Sequence, residues 1–403
     1  MKIFEIGTGY TSIPADKGAA TEIVVENLSH SLIRQGYDVT VVDIADQNRL
    51  ATDLPIVEVP MPGSFSGTDE GLGARHKIKR VLYSVRLAKV LRRILRKLPE
   101  GERVVLHFHN QYNAYFFYKL VARSLRERAV VAYTVHSYVW HDPWETIEDT
   151  VRKRYFQEID AIRRADVVFV LNSDAARTIE GHVGVDAARV RLIANGVDTE
   201  AYRPLPASET AELAESLGLA GKSCVIQVGS VCERKNQLGG LEMLEPLMQE
   251  NPNIAYIYAG GVIEPEYKKR IDAFAAGHGI ADRVKYLGEV APGKELNMRY
   301  NLAKCSLFST RAEAFSLVVI EAMSAGMPVF VGEQLKVDLE GIVRYKDGDD
   351  LRRLIRLDVL DEAACAEIGT GARQIVLNAY SWDKVAANYA ESFEDALKLK
   401  RAD

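Results

Sequence analysis

The chain has 403 residues, of which 47% are hydrophobic and 27% charged, and its formal net charge is −5. These proportions are those of an ordinary globular protein, and they exclude collagen, coiled coil and disorder as the main architecture. The length predicts two or three domains, and neither half of the chain is basic enough for a nucleic-acid-binding domain. There is no run of about 18 uncharged apolar residues and no secretion-signal pattern, so we expect a cytoplasmic protein without a membrane span.

Short β-branched segments alternate with helical segments along the chain, a pattern typical of βαβ units on a parallel sheet. The predicted strands are, in chain order, KIFEI, DVTVVDI, RVVLHF, AVVAYTV, DVVFVL, RVRLI, SCVIQVG, IAYIYAG, VKYLG, SLFST and MPVFVG. Residues 198–208 lie between the sixth and seventh strands, contain two prolines and predict a domain boundary. We therefore expect two Rossmann-like domains that face each other across a central cleft, with ligands at the carboxyl ends of the strands.

Glycines surround the end of the first predicted strand. Gly7 and Gly9 follow it directly, and Gly18 and Ala19 precede the first predicted helix. Glycines in such positions let the backbone approach a ligand closely. The spacing is not GxGxxG, but Asp43 ends the second strand, where a dehydrogenase holds a ribose. A nicotinamide-dependent oxidoreductase therefore stays open as an alternative.

Residues 77–97 contain nine lysines and arginines and no acidic residue. The apolar residues of this segment form one predicted helical stripe: Ile78, Val81, Leu82, Val85, Ala88, Leu91, Ile94, Leu95 and Leu98. One interpretation is a helix that packs its stripe on the sheet and leaves its cations in solvent. The other is a patch that contacts an anionic membrane or an anionic acceptor.

Histidines lie at the ends of two predicted strands, His107 and His109 after one and His136 after the next. Strand carboxyl ends point at the predicted cleft, so His136 is a candidate site residue, although a lone histidine more often packs. The His-x-His pair has no third ligand nearby in the sequence, and no metal site is expected. The four cysteines form no CxxC motif, which favours reduced thiols over a zinc site or disulfides.

Two segments of the second half carry charged residues directly after a predicted strand. In VGSVCERKN, Arg234 and Lys235 lie where side chains can reach phosphates. In RAEAFSLVVIEAMSAGMP, Glu313 lies in a loop and Glu321 on the second turn of a helix that begins near Phe315 or Ser316. The free N–H groups at that helix start, on Ser316, Leu317 and Val318, favour an anion such as a diphosphate. The alternative is that both glutamates are ordinary surface residues.

In this order, the segments resemble those of the family 4 glycosyltransferases of the GT-B fold. The resemblance covers nearly the whole chain and includes TVHS, ADVVFVLNSDAART, RVRLIANGVDTEAYRP, VGSVCERKN, the pair Glu313-x7-Glu321 and YSWDKVAANYAESF. It implies a retaining transfer of a hexose from a nucleoside-diphosphate sugar to an acceptor hydroxyl of a glycan, a lipid or a small molecule, without a metal or other cofactor. A UDP-sugar is favoured and a GDP-sugar is possible.

The resemblance also implies roles for individual residues. Lys235 neutralises the diphosphate, Glu321 binds the ribose, Glu313 contacts the donor sugar, His136 lies beside that sugar, and Gly18 with Ala19 forms a loop near phosphate and acceptor. It implies an acceptor-side domain of residues 1–203 and a donor domain of residues 204–379. The closing helix, residues 380–403, is expected to cross back onto the first domain.

The sequence departs from the family pattern in three places, the mildest of which is Ala314 and Ser316, where glycine is common. Ser230 stands where an arginine is usual, so one cation is missing or is supplied by Arg234. The glycine-rich segment expected after PVFVG is replaced by GEQLKVDLEGI, which leaves the sugar open. Because of Ser230, a catalytically idle GT-B protein that serves as a binding partner in glycan assembly is a further alternative.

Overall fold

The computed structural model describes residues 1–15, 19–65 and 74–402 of the chain. It divides into two compact units, which we describe separately. Unit 1 comprises Met1–Gly196 and Trp382–Asp403, and unit 2 comprises Val197–Ser381. Within the described residues, no helix is long and apolar enough to cross a membrane.

Unit 1 is built on a parallel sheet of seven strands. The strands are β1 (Lys2–Ile6), β2 (Asp38–Ile44), β3 (Ile56–Val59), β4 (Val104–Phe108), β5 (Ala129–Val135), β6 (Val167–Val170) and β7 (Val190–Leu192). Their order across the sheet is β3-β2-β1-β4-β5-β6-β7, and every pair is parallel. The central strands are buried along their whole length because helices cover both faces, which is why their sequences are almost continuously apolar.

Eight α-helices of unit 1 lie within the part of the chain that the structure describes. They are α1 (Ala20–Arg34), α2 (Ala74–Lys97), α3 (Gln111–Leu120), α4 (Arg123–Arg126), α5 (Trp144–Arg154), α6 (Phe156–Arg164), α7 (Ser173–Val183) and the C-terminal helix, here α15 (Trp382–Ala402). The ends of α7 follow from its sequence, because the Asn172 side chain caps the first turn and Gly184 ends the helix in the left-handed conformation.

Unit 2 has the same architecture, with a parallel sheet of six strands whose ranges follow and whose order is β10-β9-β8-β11-β12-β13. Its strands are β8 (Ser223–Val228), β9 (Ile254–Ala259), β10 (Val284–Tyr286), β11 (Cys305–Phe308), β12 (Val329–Gly332) and β13 (Val343–Tyr345). Its helices are α8 (Ala207–Ser216), α9 (Gln237–Glu250), α10 (Pro265–Gly277), α11 (Lys294–Tyr300), α12 (Leu317–Ser324), α13 (Gly348–Asp358) and α14 (Glu362–Ile375), followed by a π-helical turn over Val376–Tyr380.

The connecting segment belongs to unit 2, which places the division seven residues earlier than the predicted boundary at 203–204. The Val197 N–H donates to the Tyr380 carbonyl at 2.8 Å, and the Leu205 N–H donates to the Asn301 side chain at 2.8 Å. The second division, after Ser381, is within two residues of the predicted one. Helix α15 packs on α1 and β5, so the expected return of the closing helix to the first domain is confirmed.

The basic helix α2 packs differently from the predicted stripe. Its buried apolar face consists of Tyr83, Leu87, Ala88, Leu91 and Leu95. Two residues of the predicted stripe, Ile78 and Val81, are instead 58% and 42% exposed. At the start of α2 the buried positions are instead the polar His76 and Lys79, which are 8% and 3% exposed, so the predicted apolar stripe missed the buried face there. The cations Lys89, Arg92, Arg93, Arg96 and Lys97 are exposed.

Candidate functional site

The two sheets share a topological feature at their centres. From β1 the chain runs outward to β2 and β3, and from β4 it runs the opposite way to β5, β6 and β7. In unit 2 the same reversal falls between β8 and β11. The loops that leave such a pair of strands diverge, and the crevice between them is where ligands bind in open α/β sheets. The predicted site residues of unit 2 follow β8 and β11.

Hydrogen bonds hold the loops after β8 and β11 together. The Arg311 N–H donates to the Arg234 carbonyl at 3.0 Å, and the Asn236 side-chain amide donates to the Ser309 carbonyl at 3.2 Å. The Ser309 hydroxyl donates back to the Asn236 carbonyl at 2.8 Å. Asn236 has a φ of 56°, a left-handed conformation that asparagine tolerates better than most residues. These contacts fix the position of Lys235, which lies between the bonded residues.

A cluster of two cations and one carboxylate occupies this place. The Lys235 Nζ donates to Glu313 Oε2 at 2.5 Å, and an Arg234 guanidinium nitrogen donates to the same oxygen at 3.1 Å. The Lys235 and Glu313 side chains are 13% and 17% exposed, so the cluster is shielded from solvent but reachable. Glu313 is therefore not an ordinary surface residue. The three groups carry a net charge of +1, which suits an anionic ligand.

Helix α12 begins a few residues after Glu313 in the sequence. Leu317 is its first residue and Ser316 its N-cap, which agrees with the predicted start near Phe315 or Ser316. Phe315 and Ser316 are buried, and the Ser316 hydroxyl does not cap the first turn. The N-terminal N–H groups of α12 are therefore left without the side-chain cap that would compete with an anion.

Glu321 lies on the second turn of α12 and is held by two tyrosines. The Tyr300 hydroxyl is 3.1 Å from Glu321 Oε2, and the Tyr202 hydroxyl, which accepts from the Gly293 N–H at 2.9 Å, also donates to this carboxyl. Burial raises the pKa of Glu321 to about 7, although both tyrosine hydrogen bonds lower it. The residue can therefore change its charge near neutral pH.

The other predicted site residues, Ser230 of unit 2 and Ala19 of the glycine loop, make fewer contacts within the site. Ser230 lies in the loop after β8, and its carbonyl accepts from the Gln237 side chain at 2.9 Å. Arg234 is the second cation on Glu313, so the structure supplies a basic side chain in the segment where Ser230 replaces one. Ala19 is the N-cap residue of α1 and makes no side-chain cap. Gly18 lies outside the described residues.

In unit 1, a chain of hydrogen bonds joins four polar residues at the reversal between β1 and β4. Glu5 of β1 is the register partner of His107 on β4, and its Oε1 is 3.1 Å from His107 Nδ1. Glu5 Oε2 lies 2.9 Å from His109 Nε2, and His109 Nδ1 lies 3.0 Å from His136 Nε2. Glu5 and His107 are fully buried, whereas His136, after β5, is partly exposed. The sequence indicated the histidines as separate candidates, and Glu5 was not predicted.

Burial and pairing determine the charge of this cluster. Burial alone raises the pKa of Glu5, but the neighbouring His107 and His109 outweigh it and hold the pKa at about 2. Burial lowers the pKa of His109 to about 4 and that of His136 well below its usual value. At neutral pH, Glu5 is therefore an anion, and His109 and His136 are uncharged.

Glu5, His107 and His109 are residue types that bind metal ions, and their ligand atoms lie within 4.8 Å of one another. The structure thus provides the third candidate ligand that the sequence did not show. However, both ring nitrogens of His107 and of His109 are already in hydrogen bonds, His107 Nε2 with the Thr134 hydroxyl at 2.7 Å. The geometry matches a hydrogen-bonded network, in which neither of these two rings has a nitrogen left for a metal.

Asp43, the ribose-binding candidate of the oxidoreductase alternative, is fully buried. Its Oδ2 accepts from the Ile13 N–H at 2.8 Å and from the Arg49 guanidinium at 2.7 Å. This carboxylate holds the loop after β1 and pairs with a cation, so it is not presented to a ribose. The four cysteines are free thiols, as the absence of a CxxC motif predicted.

Both units match models of known protein families. Residues 21–201 match the model of Glycosyltransferase Family 4, and residues 209–348 match the model of Glycosyl transferases group 1. Together the two matches cover most of the chain. The first falls almost entirely on unit 1, and the second lies within unit 2.

The similarity to curated relatives is distant. The chain is 27% identical over 221 residues to the GDP-mannose-dependent alpha-(1-6)-phosphatidylinositol monomannoside mannosyltransferase of Mycobacterium tuberculosis, a match that covers 51% of this chain and 56% of that relative. The chain therefore spans about half the length of that relative. It is also 27% identical to the D-inositol 3-phosphate glycosyltransferase of Geodermatophilus obscurus, with 96% of this chain and 88% of the relative covered.

Solved structures match over the whole chain. Sucrose-phosphate synthase of Thermosynechococcus elongatus superposes with a TM-score of 0.75 at 20% identity, and covers 99% of this chain and 100% of its own. HepE of Anabaena, solved in complex with UDP and glucose, superposes with a TM-score of 0.72 at 18% identity over 98% of this chain and 100% of its own. These likenesses establish the GT-B fold.

Proposed function

Because the chain belongs to the family 4 glycosyltransferases and has their GT-B fold, we propose that it transfers a hexose from a nucleoside-diphosphate sugar to an acceptor hydroxyl, with retention of configuration, in the synthesis of a glycan or glycolipid. The cluster of Lys235, Arg234 and Glu313 is the observation that carries the proposal. It provides a net positive site, largely shielded from solvent, at the sheet position where α/β proteins bind nucleotides.

The leaving diphosphate is the main electrostatic problem of such a reaction. Lys235 and Arg234 share one carboxylate, so a diphosphate that enters beside them meets a net positive charge. The first turn of α12, at Ser316 and Leu317, has no side-chain cap and adds N–H donors. These groups stabilise the negative charge that develops as the glycosidic bond breaks, and the mechanism needs no metal for that purpose.

The same proposal assigns roles to the remaining site residues. Glu313, held in place by the two cations, accepts from hydroxyls of the donor sugar, and Glu321 accepts from the ribose hydroxyls. We assign His136 to a substrate hydroxyl, and Gly18 and Ala19 to the loop beside phosphate and acceptor. The acceptor hydroxyl attacks from the face that the diphosphate leaves, and a departing phosphate oxygen takes its proton.

The donor base and the acceptor are proposed from the comparisons. HepE was solved with UDP and glucose, which supports a UDP-sugar, whereas the mycobacterial relative is GDP-mannose-dependent, which keeps a GDP-sugar as the second candidate. Relatives that act on phosphatidylinositol mannosides or on inositol 3-phosphate support a lipid-linked or small polar acceptor. The exposed cations of α2, together with the exposed Ile78 and Val81 of the same helix, support a peripheral contact with an anionic membrane.

The test is nucleotide binding by calorimetry with UDP, GDP and ADP, followed by turnover of the corresponding glucose or mannose donors. We expect one nucleoside diphosphate to bind, and Lys235→Met to weaken it at least tenfold. Lys268→Met is the matched control, because Lys268 lies on α10 of the same unit and its ammonium group pairs with Asp272 one turn away. Glu313→Ala should chiefly lower turnover. Absence of binding by all three nucleotides would contradict the proposal and favour an idle GT-B protein.

A further inference from the structure

The buried network of unit 1 ends at His136, and each of its hydrogen bonds constrains the next. An ionised carboxylate only accepts hydrogen bonds, so the ring nitrogens that face Glu5 must carry protons. One of them is His109 Nε2, at 2.9 Å from Glu5 Oε2. A neutral imidazole has a single N–H, so His109 Nδ1 is left as an acceptor.

That acceptor lies 3.0 Å from His136 Nε2. A hydrogen bond between the two rings then requires the proton to be on His136 Nε2, and the other nitrogen of His136, Nδ1, is left unprotonated. His136 is the one ring of the three that is partly exposed, whereas His109 is 4% exposed and His107 fully buried. Through His109, the buried carboxylate of Glu5 therefore determines which ring nitrogen of the partly exposed His136 carries the proton.

We propose that Glu5 is a positioning residue, which through His109 fixes His136 in the Nε2–H tautomer so that His136 Nδ1 accepts a hydrogen bond from a substrate hydroxyl. The part played by the substrate rests on the proposed function, and the tautomer assignment is independent of it. His136 then serves as a neutral acceptor, and it neither takes nor gives a proton in the reaction.

The placement of the network favours this role over a packing role. Glu5 lies within the buried apolar strand β1, and His107 packs against Phe169, Tyr389 and Phe393 in the core. A buried ionic group is not needed for stability there, because apolar residues of similar volume generally serve as well. The lowered pKa of His109 and of His136 is consistent with neutral rings, which the tautomer assignment requires.

The experiment uses the full chain labelled with ¹⁵N-histidine. Two-bond nitrogen–proton correlation spectra distinguish Nδ1–H from Nε2–H tautomers, and His136→Gln assigns the His136 signals. In the wild type at pH 7.5 we expect both His109 and His136 to be protonated at Nε2. Finding His136 protonated at Nδ1, or doubly protonated, would overturn the proposal without any variant.

Glu5→Gln is the decisive variant. Its amide presents an oxygen to one histidine and an NH₂ group to the other, so a second His136 tautomer should be populated and turnover should fall about ten- to hundredfold. Thr134→Val is the matched control, because it removes the other partner of His107 and leaves the route from Glu5 to His136 intact. His136 signals that are identical in Glu5→Gln and wild type would overturn the proposal.

Two further outcomes distinguish the positioning role from a metal site and from failure of the proposed function. A change of the His107 and His109 signals with one equivalent of Zn²⁺ would show a metal site and overturn the proposal. If the tautomers respond to Glu5 as expected while no nucleoside-diphosphate sugar binds or reacts, the positioning of His136 is supported and the proposed function fails.

Discussion

Glu321 offers a test in which stability and function move in opposite directions. Burial raises the pKa of its carboxyl from 4.5 to about 7. Between these two values the folded chain binds more protons than the unfolded chain, so this residue makes stability fall as pH rises through the window. At pH 8 the folded protein must hold a buried anion, at a cost of up to about 3 kcal/mol.

Glu321→Gln removes that cost, because the amide has no charge to bury. Its oxygen can accept from Tyr202, and its NH₂ group can donate to the hydroxyl of Tyr300, whose own proton can go to the Val318 carbonyl 3.2 Å away. We expect the variant to melt about 6–12 °C above the wild type at pH 8, since about 1 kcal/mol corresponds to about 2–4 °C in a unit of this size. At pH 5, close to the unfolded-state pKa of 4.5, only about 0.8 kcal/mol of this cost remains, so the gain should shrink to about 2–3 °C.

Differential scanning calorimetry at pH 5 and pH 8 measures this difference. Subtraction of the wild type is needed because buried Glu22 of unit 1 also has a pKa raised to about 7 and contributes with the same sign. Glu362→Gln is the control, since the Glu362 side chain is 89% exposed, and it should change neither melting temperature. An equal gain at both pH values, or none at pH 8, would refute the electrostatic reasoning. A gain with unchanged nucleotide affinity would refute only the ribose assignment.

Two other predictions follow from the charges of the two units. If ribose hydroxyls pair with ionised Glu321, nucleotide affinity should rise about tenfold per pH unit from pH 5.5 to 7 and then level off, and calorimetry with Glu321→Gln should show no such slope. Replacing the exposed Arg92, Arg93 and Arg96 of α2 with Gln should weaken binding to anionic vesicles roughly a hundredfold, at about 1 kcal/mol per cation, whereas the same change at 268–270 on α10 should not. Unchanged vesicle sedimentation would remove the membrane contact.

Much of the fold could be predicted because buried parallel strands have a strong sequence pattern. All eleven predicted strands are present, and the helix after Trp382 begins at that residue. The two strands that were missed, β3 and β13, are at sheet edges and have only four and three residues. Edge strands pair on one side and are partly exposed, so their sequences, IVEV and VRY, lack the continuous apolar run that identifies a central strand.

The candidate site could be predicted where its residues directly follow central strands of the sheet. Lys235 and Glu313 each follow a central strand, so parallel topology alone brings them to one edge of the sheet. The hydrogen bond between Tyr202 and Glu321 could not be predicted in this way. Tyr202 lies in the connecting segment, and no sequence pattern around it indicates that its side chain reaches α12. Glu5 did leave a signal, a single acid within the apolar strand KIFEI, which merits the same attention as a motif.

Glu5 and Glu321 pose the same physical question, because each buries a carboxyl group next to the chain reversal of its sheet. The two environments answer it differently. Paired imidazoles keep Glu5 charged, so it can orient a neighbour permanently, whereas two tyrosines leave Glu321 near its titration point, so a ligand that donates hydrogen bonds can complete its ionisation. A carboxylate that stays ionised, such as Glu5, can position a neighbouring side chain, and a carboxyl group that titrates near neutral pH, such as Glu321, can respond to a bound ligand. The contrast therefore supports separate roles for the two residues, independently of any resemblance to other proteins.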